Sequence, residues 1–155
     1  MSIDLSDLLT PELVLTGVAA ANKKALLHKI AGVAAPELGI DIKRLTSGLA
    51  ARERLGSTGF GGGVAVPHAR IEGLSRITAV VARLAKAIDF GAVDDAPVDI
   101  VMALFSPAAG ADHLKALARV SHRLRDPDFV AKLRGAGSRD ALYALLIADE
   151  VRDAA

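Results

Sequence analysis

Apolar positions recur along the chain at two spacings, and their alternation predicts a layered α/β domain. Ser6–Leu9 reads as a short helical turn that stops at Thr10-Pro11, and Leu13–Val18 is β-branched and apolar enough for a short strand. Leu26, Leu27, Ile30, Val33 and Ala34 then fall at helical spacing behind an N-cap at Asn22, and Pro36 and Gly39 are expected to close that helix. A second cap at Asp41 opens a helix over Ile42–Arg54, with Ile42, Leu45 and Leu49 on one face.

Leu55–Gly63 is a loop by composition, and Val64–Pro67 reads as a short strand whose end is fixed by proline. Ile77–Leu84 and Val98–Phe105 are the best strand candidates, joined through Ala87–Pro97. Asp112 is expected to cap a helix running to about Arg125, with Leu114, Leu117, Val120 and Leu124 as its apolar stripe. Asp126-Pro127 breaks it, and a short helix over Asp128–Arg134 ends at Gly135. Ser138 caps a last helix, Arg139–Glu150, whose Leu142, Leu145 and Leu146 face inward. The expectation is a single domain over residues 1–155, a mixed β-sheet flanked by helices on both faces.

Composition narrows the function classes. The chain is 52% apolar with 24% charged residues, so it is not a disordered chain. Thirty Ala and 21 Leu against four Phe and one Tyr mean a core of small aliphatic side chains and no base-stacking platform. A net charge of +1 argues against a nucleic-acid or anionic-membrane partner. With no cysteine there is no disulfide, no Cys-ligated zinc and no thiol nucleophile. Met1-Ser2-Ile3-Asp4 lacks the basic start and apolar run of a signal peptide, and no uncharged stretch is a membrane-spanning helix, so a cytoplasmic protein is expected.

The chemistry concentrates in Gly56–Arg70. Pro67 pushes Val66 into extended geometry, so His68 is expected to emerge at a strand end, where open α/β sheets place their ligands. The glycines before it, Gly59, Gly61 and Gly63 among them, allow backbone N–H groups to approach a bulky anion. The loop fits neither G-x-x-x-x-G-K-[ST] nor G-x-G-x-x-G, and it follows a helix, so a nucleotide fingerprint is rejected. His113 falls in the first turn of its helix, where free N–H groups favour anions. His113 and His122 lie nine positions apart, on opposite sides of that helix, and cannot share a metal. Arg52 and Arg54 end the second helix, and an arginine there can present its donor fork to the same anion. From the residues alone, two readings stay open: a phosphoryl site, or a tight surface loop with ordinary polar residues around it. His28, His122, Arg70 and Glu72 read as surface residues.

The run Arg52-Glu53-Arg54-Leu55-Gly56-Ser57-Thr58-Gly59-Phe60-Gly61-Gly62-Gly63-Val64-Ala65-Val66-Pro67-His68 resembles the active-site segment of bacterial phosphotransferase-system enzyme IIA domains of the fructose–mannitol class. Pro97–Val101 and Asp112-His113-Leu114 also match the layout of that family, and the resemblance covers nearly the whole chain. It implies that His68 accepts a phosphoryl group from a histidine phosphocarrier protein, with His113 and Arg52 contacting that group and no metal or organic cofactor. The loop looks most like that of the nitrogen-regulatory branch, which signals to protein targets such as kinases or transporters. A sugar-transport enzyme IIA passing phosphate to an enzyme IIB, or a non-catalytic regulatory module of the same fold, are the alternatives. Oligomeric state is left open, a homodimer among the options. Gly62 is a departure, because many relatives carry a larger residue there, often Asn.

Overall fold

In the computed structural model, which describes residues 5–148, the strands form one mixed sheet with helices packed against both faces. The chain order is β1 (Val14–Val18), α1 (Lys23–Leu38), α2 (Ile42–Arg54), β2 (Gly59–Gly61), β3 (Val64–Ala65), β4 (His68–Ile71), β5 (Thr78–Ile88), β6 (Val98–Pro107), α3 (Asp112–Leu124), α4 (Pro127–Gly135) and α5 (Arg139–Ile147). Across the sheet the order is β1-β5-β6-β3-β2, with β4 also on β6. β5 and β6 are antiparallel, β1 runs parallel to β5, and β3 and β4 run parallel to β6.

β6 is the centre of this arrangement. Ile100, Met102 and Leu104 face a core shared with α3, α4 and α5, while Val101, Ala103 and Phe105 face α1 and α2. A strand buried on both faces has no polar side to show, which is why Ile100–Phe105 is a continuous apolar run. The expected caps at Asn22, Asp41 and Ser138 each accept a backbone N–H, from Ala25, Lys43 and Ala141. Gly39 ends α1 at φ +66°, the left-handed geometry that glycine adopts without strain.

Several expectations are corrected. Pro36 does not stop α1, which runs two residues further to Leu38 with Gly39 as the true end. The glycine segment is not all loop, since Gly59–Gly61 forms β2 and pairs antiparallel with β3. The strand over Val64–Pro67 stops after Ala65 and resumes at His68, because Pro67 has no N–H to give the ladder. His68 therefore opens a strand instead of standing at the end of one. Asp112 is the first helical residue of α3, behind Ala111, and its side chain makes no cap hydrogen bond. Leu114 is 63% exposed, and the buried residues of α3 are His113, Ala116, Val120, Arg123 and Leu124. The last residues of the expected helix, Asp149 and Glu150, and the start Met1–Asp4 lie outside the described residues.

The β2–β3 turn uses glycine for two different reasons. Gly62 has φ +70° with nothing within 4 Å of an added Cβ, a conformation that Asn also tolerates. At Gly63, φ is +80° and a Cβ would stand 2.3 Å from Arg134 Nη2. That guanidinium is forked onto Asp99 at 2.8–3.1 Å and donates to the Gly62 carbonyl at 2.7 Å. Gly62→Ala should cost about 1 kcal/mol, the price of a left-handed non-glycine residue. Gly63→Ala should cost roughly 2–3 kcal/mol, because it also dislodges Arg134. Urea unfolding midpoints of the two variants check the order, and equal losses would contradict it.

Candidate functional site

Strand alternation on β4 sends Ala69 and Ile71 into the core under α2 and leaves His68 and Arg70 on the opposite face, toward α3. His68 lies opposite Leu104 in the parallel register with β6. Its Nδ1 is 2.9 Å from the Val66 carbonyl oxygen. A carbonyl only accepts, so Nδ1 carries the hydrogen, and in the neutral ring the lone pair is on Nε2. His113 comes from the first turn of α3 and is buried, with Nδ1 2.6 Å from Ser106 Oγ. The two imidazole centroids are 5.5 Å apart and their planes tilted by 47°. The structure thus brings together the two histidines that the sequence singles out; His28 and His122 are exposed.

Both rings are held in the neutral form. Burial pushes His68 below the ordinary histidine range; the Val66 hydrogen bond opposes this, the Arg52 charge adds to it and the Glu53 charge opposes it. His113 is pushed down first by burial, then by the charges of Arg70 and His68. Arg52 is fastened at the start of the glycine segment, where its Nη1 donates to the Gly56 carbonyl at 2.8 Å. Arg70 is exposed, but its guanidinium lies over the segment before α3, 3.4 Å from the Ala108 and 3.3 Å from the Gly110 carbonyl oxygen. Reading Arg70 as a surface residue overlooked its two-residue spacing from His68, which places both on one face of a strand.

Glu53 is the other residue that sequence reasoning passed over. It is buried and accepts from the Thr58 N–H at 3.2 Å, from the Thr58 hydroxyl, and from Lys23 Nζ at 3.0 Å. Lys23 also sits 4.6 Å from the centroid of the buried Phe90 ring. Ser57 donates to the Phe90 carbonyl at 2.7 Å and accepts from the Gly59 N–H at 3.1 Å. These bonds tie the glycine segment to α1, α2 and the Ala87–Pro97 connection. Gly59 is packed so closely that a Cβ would meet Ala92 Cβ at 2.9 Å, and Gly61 has φ +108°. The N–H groups of Gly59 and Gly62 are engaged internally, the latter by Asp94 at 3.1 Å. What the structure shows for Gly59, Gly61 and Gly63 is a packing and conformational role. Phe60 is half-buried against the α3–α5 core with the Arg125 guanidinium 5.6 Å from its ring centroid. Among the described residues no group of three or more His, Asp or Glu is placed to hold a metal ion, and no helix is long and apolar enough to cross a membrane.

The sheet and its helices define an α/β protein, and comparison with known proteins gives it the enzyme IIA fold. The model of the family "Phosphoenolpyruvate-dependent sugar phosphotransferase system, EIIA 2" matches residues 7–149. The chain belongs to that family. It is 42% identical over 143 residues to a nitrogen regulatory protein of Bradyrhizobium diazoefficiens, covering 92% of this chain and 94% of that one. It is 40% identical to a nitrogen regulatory protein of Pseudomonas aeruginosa, covering 94% of this chain and 96% of the relative. A fructose-specific EIIA component of Haloferax volcanii is 32% identical, over 92% of this chain and 94% of its own length. Among solved structures, nitrogen regulatory protein IIA-Ntr of Neisseria meningitidis superposes with a TM-score of 0.87 at 26% identity, over 92% of this chain and 98% of that one. Escherichia coli IIA mannitol shares the fold, with a TM-score of 0.75 at 21% identity over 89% and 98% of the two chains.

Two imidazoles held below their ordinary value leave a signature in stability. Unfolding restores each to about 6.5, so the unfolded chain binds more protons wherever the folded rings are still neutral. Their contribution is complete above about pH 6.5 and is lost as pH falls toward the folded values. His68→Gln/His113→Gln should therefore show a flatter fall of the urea midpoint between about pH 7.5 and 5.5 than the parent chain. A parallel pair of curves would contradict neutral, buried histidines.

Proposed function

We propose that this chain is a phosphoryl-relay protein of the nitrogen-regulatory kind, phosphorylated on His68 by a histidine phosphocarrier protein and acting on protein targets such as kinases or transporters. The observation that carries the reading is the Val66–His68 hydrogen bond beside a second histidine. It commits Nδ1 as a donor and leaves Nε2 as the nucleophile in a ring that burial keeps neutral. The identities of 42% and 40% to nitrogen regulatory proteins favour this branch over the sugar-transport reading, whose fructose-specific relative stands at 32%.

The step balances simply. The Nε2 lone pair of His68 forms a bond to phosphorus while the N–P bond of the donor phosphohistidine breaks, and its electron pair returns to the donor imidazole. His68 Nε2 carries no proton, so none has to be removed before attack. His113 hydrogen-bonds the phosphoryl oxygens in transit, and Arg52 supplies positive charge from the start of the glycine segment. The product is a phosphoramidate, labile enough to pass the group on.

Incubation with a phosphocarrier and its upstream kinase should label His68 with an acid-labile, base-stable phosphate, and His68→Ala should abolish it. His113→Ala should slow labelling by about 10²–10³, the usual loss for one positioned donor, and His113→Gln should recover part of it. Arg52→Lys should lose more than its charge alone implies, because an ammonium has no fork. Initial rates at equal folded concentration decide these points. Labelling that persists in His68→Ala, or that maps to Ser57 or Thr58, would sink the assignment. Onward transfer to a fructose-type enzyme IIB would instead favour the sugar-transport reading.

A further inference from the structure

We infer that Ser106 is a positioning residue: its hydroxyl donates to His113 Nδ1 and so keeps the ring hydrogen of His113 on Nε2. Ser106 is fully buried on β6, directly opposite Arg70 in the register that also sets Leu104 opposite His68. The hydrogen-bond partner of its hydroxyl among the described residues is His113 Nδ1, at 2.6 Å.

The direction of this bond follows from burial. A serine hydroxyl has one hydrogen to give and lone pairs to spare, whereas a neutral imidazole has one nitrogen of each kind. If Nδ1 were the donor, the hydrogen of this fully buried serine would have no acceptor among the described residues, and a buried unsatisfied donor carries its full desolvation penalty. If Ser106 is the donor, its hydrogen is satisfied, and Nε2–H becomes the one donor of the His113 ring. The two histidines then hold opposite tautomers. Val66 leaves His68 with a free lone pair on Nε2, and Ser106 leaves His113 with a hydrogen on Nε2. A nucleophile and a donor are what a phosphoryl group between them would require. This consequence for transfer rests on the proposed phosphorylation of His68; the direction of the hydrogen bond does not.

The test reads the two separately. A hydroxyl that donates to Nδ1 favours neutral His113, so Ser106→Ala should raise the His113 pKa measured by NMR titration; a bond running the other way would make the same variant lower it. The ionisable groups around His113 are His68 and Arg70 on β4, Asp112 and Lys115 on its own helix, and Asp7 and Arg76 along the same cleft, all unchanged in this variant. Imidazole nitrogen shifts of the parent chain above pH 7 should show Nδ1 unprotonated and Nε2 protonated. Labelling of His68 should slow roughly 10–100-fold in Ser106→Ala, by analogy with the loss of a hydrogen-bond partner that orients a metal-bound imidazole. It should lose nothing further in a His113→Gln background, where the amide is a donor without help. Ser106→Thr keeps the hydroxyl and should recover the rate and the titration, provided near-UV circular dichroism shows native packing in both variants. A lowered or unchanged His113 pKa in Ser106→Ala, or a protonated Nδ1 in the parent chain, would overturn the inference. So would labelling of Ser106→Ala at the parental rate. If the parent chain itself takes no label on His68, the proposed function fails, and the titration still decides the hydrogen bond.

Discussion

The parallel pairing of β6 with an interrupted neighbour is the constraint on which the site depends. β6 is buried on both faces from Ile100 to Ser106, so its backbone must find partners on both edges. On one edge β5 satisfies it over a long antiparallel register; on the other the partner is split into β3 and β4 around Val66-Pro67. Pro67 withdraws a donor there, yet its carbonyl still accepts from the Leu104 N–H at 2.9 Å, which keeps β4 in register. The Val66 carbonyl takes an N–H from the His68 imidazole in the same place. Pro67 thus breaks the strand, and the Val66 carbonyl just before it gives the histidine ring a fixed tautomer. β6 itself carries Ser106 and leads into α3, so both histidines are referred to one rigid element.

Most of the architecture was legible because it rests on signals that are local. The caps at Asn22, Asp41 and Ser138 and the apolar runs of β5 and β6 each announce an element from a few adjacent residues. What could not be read was tertiary. Leu114 fits an apolar stripe by spacing, but Ser106 and β4 draw His113 inward and turn Leu114 out to solvent. Glu53 has the appearance of a solvated helix-end charge, and only the fold brings Lys23 and Thr58 to it from 30 residues before and five after. The glycines invite an anion cradle by composition. Their reasons in the structure are φ +108° at Gly61, the close approach of Ala92 at Gly59 and of Arg134 at Gly63.

The glycine segment also shows how a site can be rigid without regular structure. A buried carboxylate left unpaired would be strongly destabilising, so Glu53 needs Lys23 and both donors of Thr58 together. Meeting that need fixes the backbone next to Ser57, and Ser57 in turn fixes the connection carrying Phe90. Arg134 does the same from the far side by joining Asp99 to the Gly62 carbonyl. Arg52, one residue before Glu53 on α2, is held apart from this network by its bond to the Gly56 carbonyl, and its charge acts on His68.

On the proposed function, the charges around the histidine pair have opposite consequences before and after transfer. Arg52 beside His68 and Arg70 beside His113 both disfavour an imidazolium, which adds to burial in keeping the two rings neutral. On the proposed reading the ring then acquires a phosphoryl group of about two negative charges, and the same arginines become attractive. Coulomb energy scales with the charge, so a nearby arginine acts more strongly on a phosphoryl group than on an imidazolium. The two do not contribute equally. Arg70 is exposed and screened by salt, whereas Arg52 is half-buried and pinned to the Gly56 carbonyl, so its field at His68 is the more persistent. A phosphoramidate held in such a field is stabilised by position and not by a deeper chemical bond. A partner that displaces Arg52 from the group, or supplies a better set of donors, is then able to remove it.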